Sequence, residues 1–133
     1  MSLNIILYTF NKTICNTISE EIFLPTPDGE ICIQPRHQQL VSALSIGLIR
    51  FKEGLSWNLF IVMGGIVEIK SDSVHIYSIN AEQVNLVELN DIQERLTQSE
   101  EQLKNAKSDQ EKVEPLQNLQ RISALLKATS YME

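Results

Sequence analysis

Residues 64–79 read "GGIVEIKSDSVHIYSI", and this stretch decides the fold. Apolar and polar side chains alternate along Val67-Glu68-Ile69-Lys70 and again along Val74-His75-Ile76-Tyr77. Alternation with a period of two is typical of strands that bury one face. The polar trio Ser71-Asp72-Ser73 between them is a turn signal. We therefore predict two strands joined by a tight turn, preceded by a double glycine.

Similar short runs of β-branched and aromatic residues fill the first two thirds of the chain. The candidate strands are Leu3–Phe10, Thr13–Asn16, Glu20–Leu24, Glu30–Gln34, Val41–Leu44, Leu48–Lys52, Ser56–Met63, Ile66–Lys70 and Ser73–Ile79. Close turns separate them, and no long helical pattern interrupts them. We predict an antiparallel β-sandwich, or flattened barrel, of about ten short strands.

The composition changes near residue 88, where Gln, Glu, Lys and Leu become dominant and no glycine follows Gly65. Apolar spacing predicts one helix carrying Ile92, Leu96, Ser99, Leu103 and Ala106, with Asn90 as its cap. A second helix is predicted over Pro115–Ala128, with a stripe of Leu116, Leu119, Ile122 and Leu126 and with Leu125 beside it. The expected domains are a β-sandwich over 1–87 and an antiparallel helical hairpin over 88–133, giving an α+β fold.

Both helical stripes are narrow, so the hairpin is expected to bury little surface and to dock weakly. We therefore predict a movable element, with faster hydrogen exchange over 91–128 than in the strands.

The 133 residues carry a net charge of -6, divided as -3 over 1–87 and -3 over 88–133. An acidic chain without a basic arm is not expected to bind nucleic acid. No apolar run approaches the ~20 residues of a membrane span, and the N-terminus does not resemble a signal peptide.

Side chains capable of chemistry are few and scattered. His37 and His75 have no neighbouring motif for catalysis or metal binding. Cys15 and Cys32 lie in strand-like surroundings, which predicts two small buried hydrophobic residues. The double glycine after Met63 indicates a bulge, a positive φ or a close backbone approach. We expect an interaction protein with no catalytic residues, metal, cofactor or small-molecule substrate; a small hydrolase using His37 with Glu30 is a remote alternative.

An ordered set of short motifs identifies a family resemblance. The set comprises Leu24-Pro25-Thr26, Gly29-Glu30, Pro35-x-His37, Ile46-Gly47-x-Ile49-Arg50, Met63-Gly64-Gly65 and Asn80-Ala81-Glu82. It resembles the ε subunits of F-type rotary ATP synthases, nearest the chloroplast and cyanobacterial forms. The family fold, a β-sandwich followed by a helical hairpin, agrees with the fold predicted from the residue pattern.

The resemblance implies a non-catalytic rotor subunit of the central stalk. Such a subunit binds the γ subunit, rests on the c-ring and couples ring rotation to the catalytic hexamer, while it restrains ATP hydrolysis. The residues expected to contact the c-ring or γ are Asp28, Glu30, Arg36, His37, Gln38, Met63, Gly64 and Gly65. Arg121 and Lys127 are the candidates for contact with the α and β subunits.

The resemblance also implies a location and a difference from some relatives. The protein is expected to be peripheral on the stromal side of a chloroplast thylakoid membrane, or on a cyanobacterial thylakoid or bacterial inner membrane. Some bacterial relatives bind ATP through an Ile-Asp-x-x-Arg-Ala box, which aligns near Val87–Ile92, where neither its Asp nor its Arg is matched. We therefore predict no ATP binding. The alternative to this family is an unrelated adaptor of the same architecture.

Overall fold

The computed structural model describes residues 1–10, 12–84, 92–129 and 131, except for the side chains of 92, 93 and 109. In these residues, eight strands precede two helices. The strands are β1 Leu3–Thr9, β2 Lys12–Ser19, β3 Ile22–Thr26, β4 Gly29–Ile33, β5 Leu40–Glu53, β6 Ser56–Lys70, β7 Ser73–Ser78 and β8 Ala81–Gln83. The helices are α1 Ile92–Asn105 and α2 Asp109–Thr129. The predicted α+β sandwich and hairpin are confirmed; the expected cap at Asn90 and the domain boundary at 87/88 lie outside the described residues.

The strands form one hydrogen-bonded path in the order β2-β1-β7-β6-β5-β3-β4, and β8 pairs with β6. One end of the long β5–β6 pair continues into β7, β1 and β2, and the other end pairs with β3 and β8. Inward side chains from both ends form a single core, including Leu3, Ile22, Ile49, Phe51 and Ile76. The path therefore folds into two layers around one apolar interior.

Three details of the predicted sheet were wrong. Val41–Leu44 and Leu48–Lys52 form one strand, β5, and Ser56–Met63 and Ile66–Lys70 form one strand, β6. The double glycine bends β6 instead of ending it, since pairing resumes on both sides of it. The sheet is also not wholly antiparallel, because β1 and β7 pair in parallel. β8, only three residues long, was not predicted.

Helix α2 begins six residues before the predicted start at Pro115. The backbone N–H of Glu111 donates to Ser108 Oγ over 3.2 Å, and the Glu111 carboxylate accepts from the backbone N–H of Lys107 over 2.7 Å. This capping arrangement, readable in the sequence as Ser108-x-x-Glu111, begins the helix at Asp109. It offsets the loss of one backbone hydrogen bond at Pro115.

The buried face of α2 also differs from the predicted stripe. Leu116 and Leu126 are 47% and 45% exposed, whereas Ile122 and Leu125 are buried. The small side chains of Ala124 and Ala128 are buried beside Leu125 and bring the helix close to the sandwich. On α1 and the residue after it, Ser99 of the predicted stripe is buried, and Leu96, Leu103 and Ala106 are half-buried.

Candidate partner-binding surfaces

A tight turn presents the acidic tip of the β3–β4 hairpin. Thr26 Oγ1 donates to the carbonyl oxygen of Gly29 over 2.6 Å and closes the turn. Gly29 adopts a φ of 120°, a conformation that favours glycine. Asp28 is exposed at the tip, and Glu30 follows on β4, so the turn places two carboxylates close together.

The Glu30 carboxylate binds two cations. Its Oε1 accepts from Arg50 Nη2 over 2.9 Å, and its Oε2 accepts from Lys127 Nζ over 2.6 Å. Burial alone would raise the pKa of Glu30, but the hydrogen bonds and charges of Lys127 and Arg50 outweigh it and leave that pKa below its ordinary value. Glu30 is therefore ionised at neutral pH and joins the sandwich to helix α2.

The second predicted contact segment follows the opposite end of β4. Arg36 has a φ of 68°, and its backbone N–H donates to Asp72 Oδ1 over 2.7 Å, which fixes the turn. His37 and Gln38 are exposed, and His37 Nδ1 bonds the carbonyl oxygen of Gln38 over 2.7 Å. The part of β4 from Glu30 to its end at Ile33 spans roughly 10 Å, at ~3.3 Å per residue, and three more residues separate it from His37. Glu30 and His37 therefore do not form a catalytic pair.

The double glycine makes its close approach inside the chain. A Cβ at Gly65 would lie 2.0 Å from the carbonyl oxygen of Tyr77 on β7. Ser78 Oγ donates to the carbonyl oxygen of Gly64 over 2.6 Å. The backbone N–H of Met63 donates to the carbonyl oxygen of Asn80 over 3.0 Å. The close backbone approach predicted from the double glycine is therefore made by β7 of the same chain, while the contact of these residues with γ or the c-ring stays a prediction.

An exposed apolar row crosses four strands next to this bend, and sequence analysis missed it. Ala43, Ile66, Tyr77 and Tyr8 lie in register on β5, β6, β7 and β1. Ile66 and Tyr77 are 53% and 47% exposed, and the rings of Tyr8 and Tyr77 stack at 5.0 Å. The imidazole of His75 is half-buried and stacks beside them. We call Ala43, Ile66, Tyr77 and Tyr8 the outer row.

The two cations predicted to contact the catalytic subunits both bind carboxylates of the sandwich in this structure. Arg121 donates to Glu82 of β8, and Lys127 donates to Glu30 of β4. Both contacts lie where α2 packs on the sandwich, around the buried Leu125. In this arrangement the hairpin presents neither cation as an unpaired charge.

Cys32 is exposed, so the prediction that both cysteines are buried was wrong, while Cys15 is half-buried. Both thiols are free. Within the described ranges no cluster of His, Cys, Asp and Glu could hold a metal ion. Among the same residues, no helix is long and apolar enough to span a bilayer. The segment aligned with the ATP box, Val87–Ile92, lies outside the described residues except for the backbone of Ile92.

An exposed apolar row, an acidic turn and a packed helical hairpin define a protein-binding subunit. Residues 2–84 match the family described as ATP synthase, Delta/Epsilon chain, beta-sandwich domain. The chain is 32% identical to the chloroplastic ATP synthase epsilon chain of Gracilaria tenuistipitata var. liui, covering 99% of this chain and 98% of that one. It is also 32% identical to the epsilon chain of Acaryochloris marina, covering 97% and 96%. The chain therefore belongs to the ATP synthase epsilon-chain family.

Solved structures share the fold. A chain in the Euglena gracilis mitochondrial ATP synthase matches with a TM-score of 0.84 at 16% identity, over 96% of this chain and 81% of that one. A chain in the central stalk and c-ring of the Tetrahymena thermophila enzyme matches with a TM-score of 0.62 at 14% identity, over 97% of each. Family membership confirms the prediction of a non-catalytic rotor subunit of an F-type ATP synthase and replaces the alternative of an unrelated adaptor.

Proposed function

We propose that the chain transmits rotation by binding γ through the outer row and the c-ring through the turns at the two ends of β4. The outer row is the observation that carries the γ contact. Monomeric proteins rarely expose contiguous apolar and aromatic patches, and such patches mark partner-binding sites. Aromatic side chains are enriched in interface cores. Met63, Gly64 and Gly65 support this surface from the adjoining bend in β6.

The c-ring contact is assigned to Asp28 and Glu30 at one end of β4 and to Arg36, His37 and Gln38 at the other. Support comes from the exposure of Asp28, His37 and Gln38 and from the hydrogen bonds that fix both turns. A mixed rim of carboxylate, guanidinium and imidazole suits the polar loops expected on the ring. A partner that contacts both turns has to extend along the edge strand β4.

The remaining assignments are regulatory and cellular. Arg121 and Lys127 are proposed to restrain ATP hydrolysis by contacting the α or β subunits when the hairpin leaves the sandwich. The named relatives are chloroplastic or cyanobacterial, which supports a thylakoid location, peripheral on the stromal side in a plastid. A division into units 1–87 and 88–133 agrees with the family match, which ends at residue 84.

Binding to purified γ tests the outer row. The double variant Ile66→Ser with Tyr77→Ser should weaken γ binding by at least about tenfold, as expected for loss of buried interface side chains. Leu55→Ser is the matched control, because Leu55 is 99% exposed in the β5–β6 turn, away from the row. Equal γ affinity for the double variant and the control would contradict the proposal, provided that circular dichroism shows both folded.

A further inference from the structure

Glu30 is the only described residue whose carboxylate pairs with both the sandwich and the hairpin. Arg50, on β5, holds Oε1 and Lys127, near the end of α2, holds Oε2. The Glu30 side chain is 28% exposed, and each of its oxygens already accepts from one cation. A third cation that approached the carboxylate would therefore compete with Arg50 and Lys127 for its charge.

Arg50 extends this contact to Tyr131, which follows α2, and to two aromatic rings of the sandwich. Its guanidinium carbon lies 3.6 Å from the ring centroid of Phe23, 4.5 Å from that of Tyr131 and 5.1 Å from that of Trp57. Tyr131 meets the Trp57 ring edge-on at 5.2 Å. A guanidinium among aromatic faces is a favourable arrangement, and more so when it is partly desolvated. The end of the hairpin is thus fixed by the same arginine that orients Glu30.

The apolar contact beneath α2 joins Ile122 and Leu125 of the helix to a buried cluster on the sandwich that includes Leu48, Leu59 and Ile61. The small side chains of Ala124 and Ala128 each bury little apolar area. The polar and aromatic contacts at Glu30 and Arg50 add to this apolar contact. Lys127 is the least buried member, with a side chain 46% exposed, and it is therefore the partner most easily displaced.

We infer that Glu30 is a shared element for which Lys127 of the hairpin competes with a cationic side chain of the partner that docks on the β3–β4 turn. Asp28 is an exposed carboxylate beside this site, and Glu30 gains unpaired negative charge when Lys127 leaves it, so the complementary partner loop carries Lys or Arg. Docking of that loop weakens the hold on the hairpin, and a docked hairpin weakens binding of the loop, because such coupling is reciprocal. This competition rests on the proposed c-ring contact. The stabilisation of the docked hairpin by the Lys127–Glu30 pair, called the hold below, does not depend on it.

Hydrogen exchange on the isolated chain tests the hold. Lys127→Gln leaves the Arg50–Glu30 pair intact, so it perturbs the hairpin without leaving a buried guanidinium unpaired. We expect exchange in peptides from α2 to rise about two- to fivefold, the range for a partly exposed ion pair, and the emission of Trp57, the chain's single tryptophan, to change. Lys112→Gln, on the exposed first half of α2, should change neither. Identical exchange in the Lys127 variant and the control would overturn the inference.

Binding to a purified c-ring in nanodiscs tests the competition. Lys127→Gln should tighten binding about two- to fivefold, because it frees Glu30, and Glu30→Gln should weaken it. If Glu30→Gln weakened binding and Lys127→Gln left it unchanged, the competition would be wrong while the ring contact stood. If Glu30→Gln had no effect, or the unmodified chain did not bind the ring, the ring contact and the competition would both fail; the exchange experiment would still decide the hold on the hairpin.

Discussion

Replacing Gly65 with alanine should be among the most damaging single substitutions in the sandwich. Gly65 has a φ of 140°, which a side chain disfavours at a cost of about 1–3 kcal/mol. The added Cβ would also lie 2.0 Å from the Tyr77 carbonyl oxygen and 3.0 Å from Ser78 Cα. Both neighbours are backbone atoms of a paired strand, so relief requires β6 and β7 to separate, at about 1–3 kcal/mol for such overpacking. We expect a total loss of about 2–6 kcal/mol, out of the roughly 5–15 kcal/mol typical of a domain.

Gly29→Ala separates the two contributions. Gly29 has a φ of 120°, but a Cβ there would meet nothing within 4 Å, so only the backbone cost of about 1–3 kcal/mol applies. Urea unfolding followed through Trp57 fluorescence gives both free energies of unfolding, compared at equal m-values. Equal losses for the two variants would refute the close approach of β7, and a loss below about 1 kcal/mol for Gly65→Ala would refute the strain as well.

Four further substitutions test the hairpin and an exposed thiol. Leu125→Ala should lower the free energy of unfolding by about 2–5 kcal/mol. Leu126→Ala, at a neighbour that is 45% exposed, should lower it by less than about 1 kcal/mol. Equal losses in urea unfolding would contradict the assignment of Leu125 to the buried face of α2. Ser108→Ala should cost about 1 kcal/mol by removing the cap of α2, seen as lower helicity by circular dichroism. Burial, together with the charge of Glu21, raises the pKa of the Cys32 thiol. Glu21→Gln should therefore speed alkylation of Cys32 near pH 8, which peptide mass spectrometry measures. An unchanged alkylation rate would contradict the contact between Cys32 and Glu21.

The fold was largely readable from the sequence, because alternation and helical spacing are local patterns. The errors occurred where a local signal had two meanings. Gly64-Gly65 marks either the end of a strand or a bend within one, and only the pairing of β6 with β5 and β7 decides between them. Pro115 marks either the start of a helix or a tolerated defect, and the capping residues Ser108 and Glu111 decide for the second.

The partners of the candidate site residues were not readable from the sequence. Glu30 binds a cation 20 residues away and another 97 residues away. No periodicity or spacing rule connects positions so far apart, since the folded path of the chain brings them together. The family resemblance named Glu30 and Lys127 separately and assigned them to different partners, and only the packing of α2 places them on each other.

The outer row, by contrast, left a signal that strand analysis could have used. In β6 the positions facing away from the core are Ile66, Glu68 and Lys70, and in β7 they include Tyr77. A strand with one solvated face normally carries polar residues there, so an isoleucine and a tyrosine in register on that face are exceptions to the alternation. Each alone would need no explanation. Paired across adjacent strands and stacked on Tyr8, they form a continuous apolar surface, and water contact with that surface is avoided when a partner covers it.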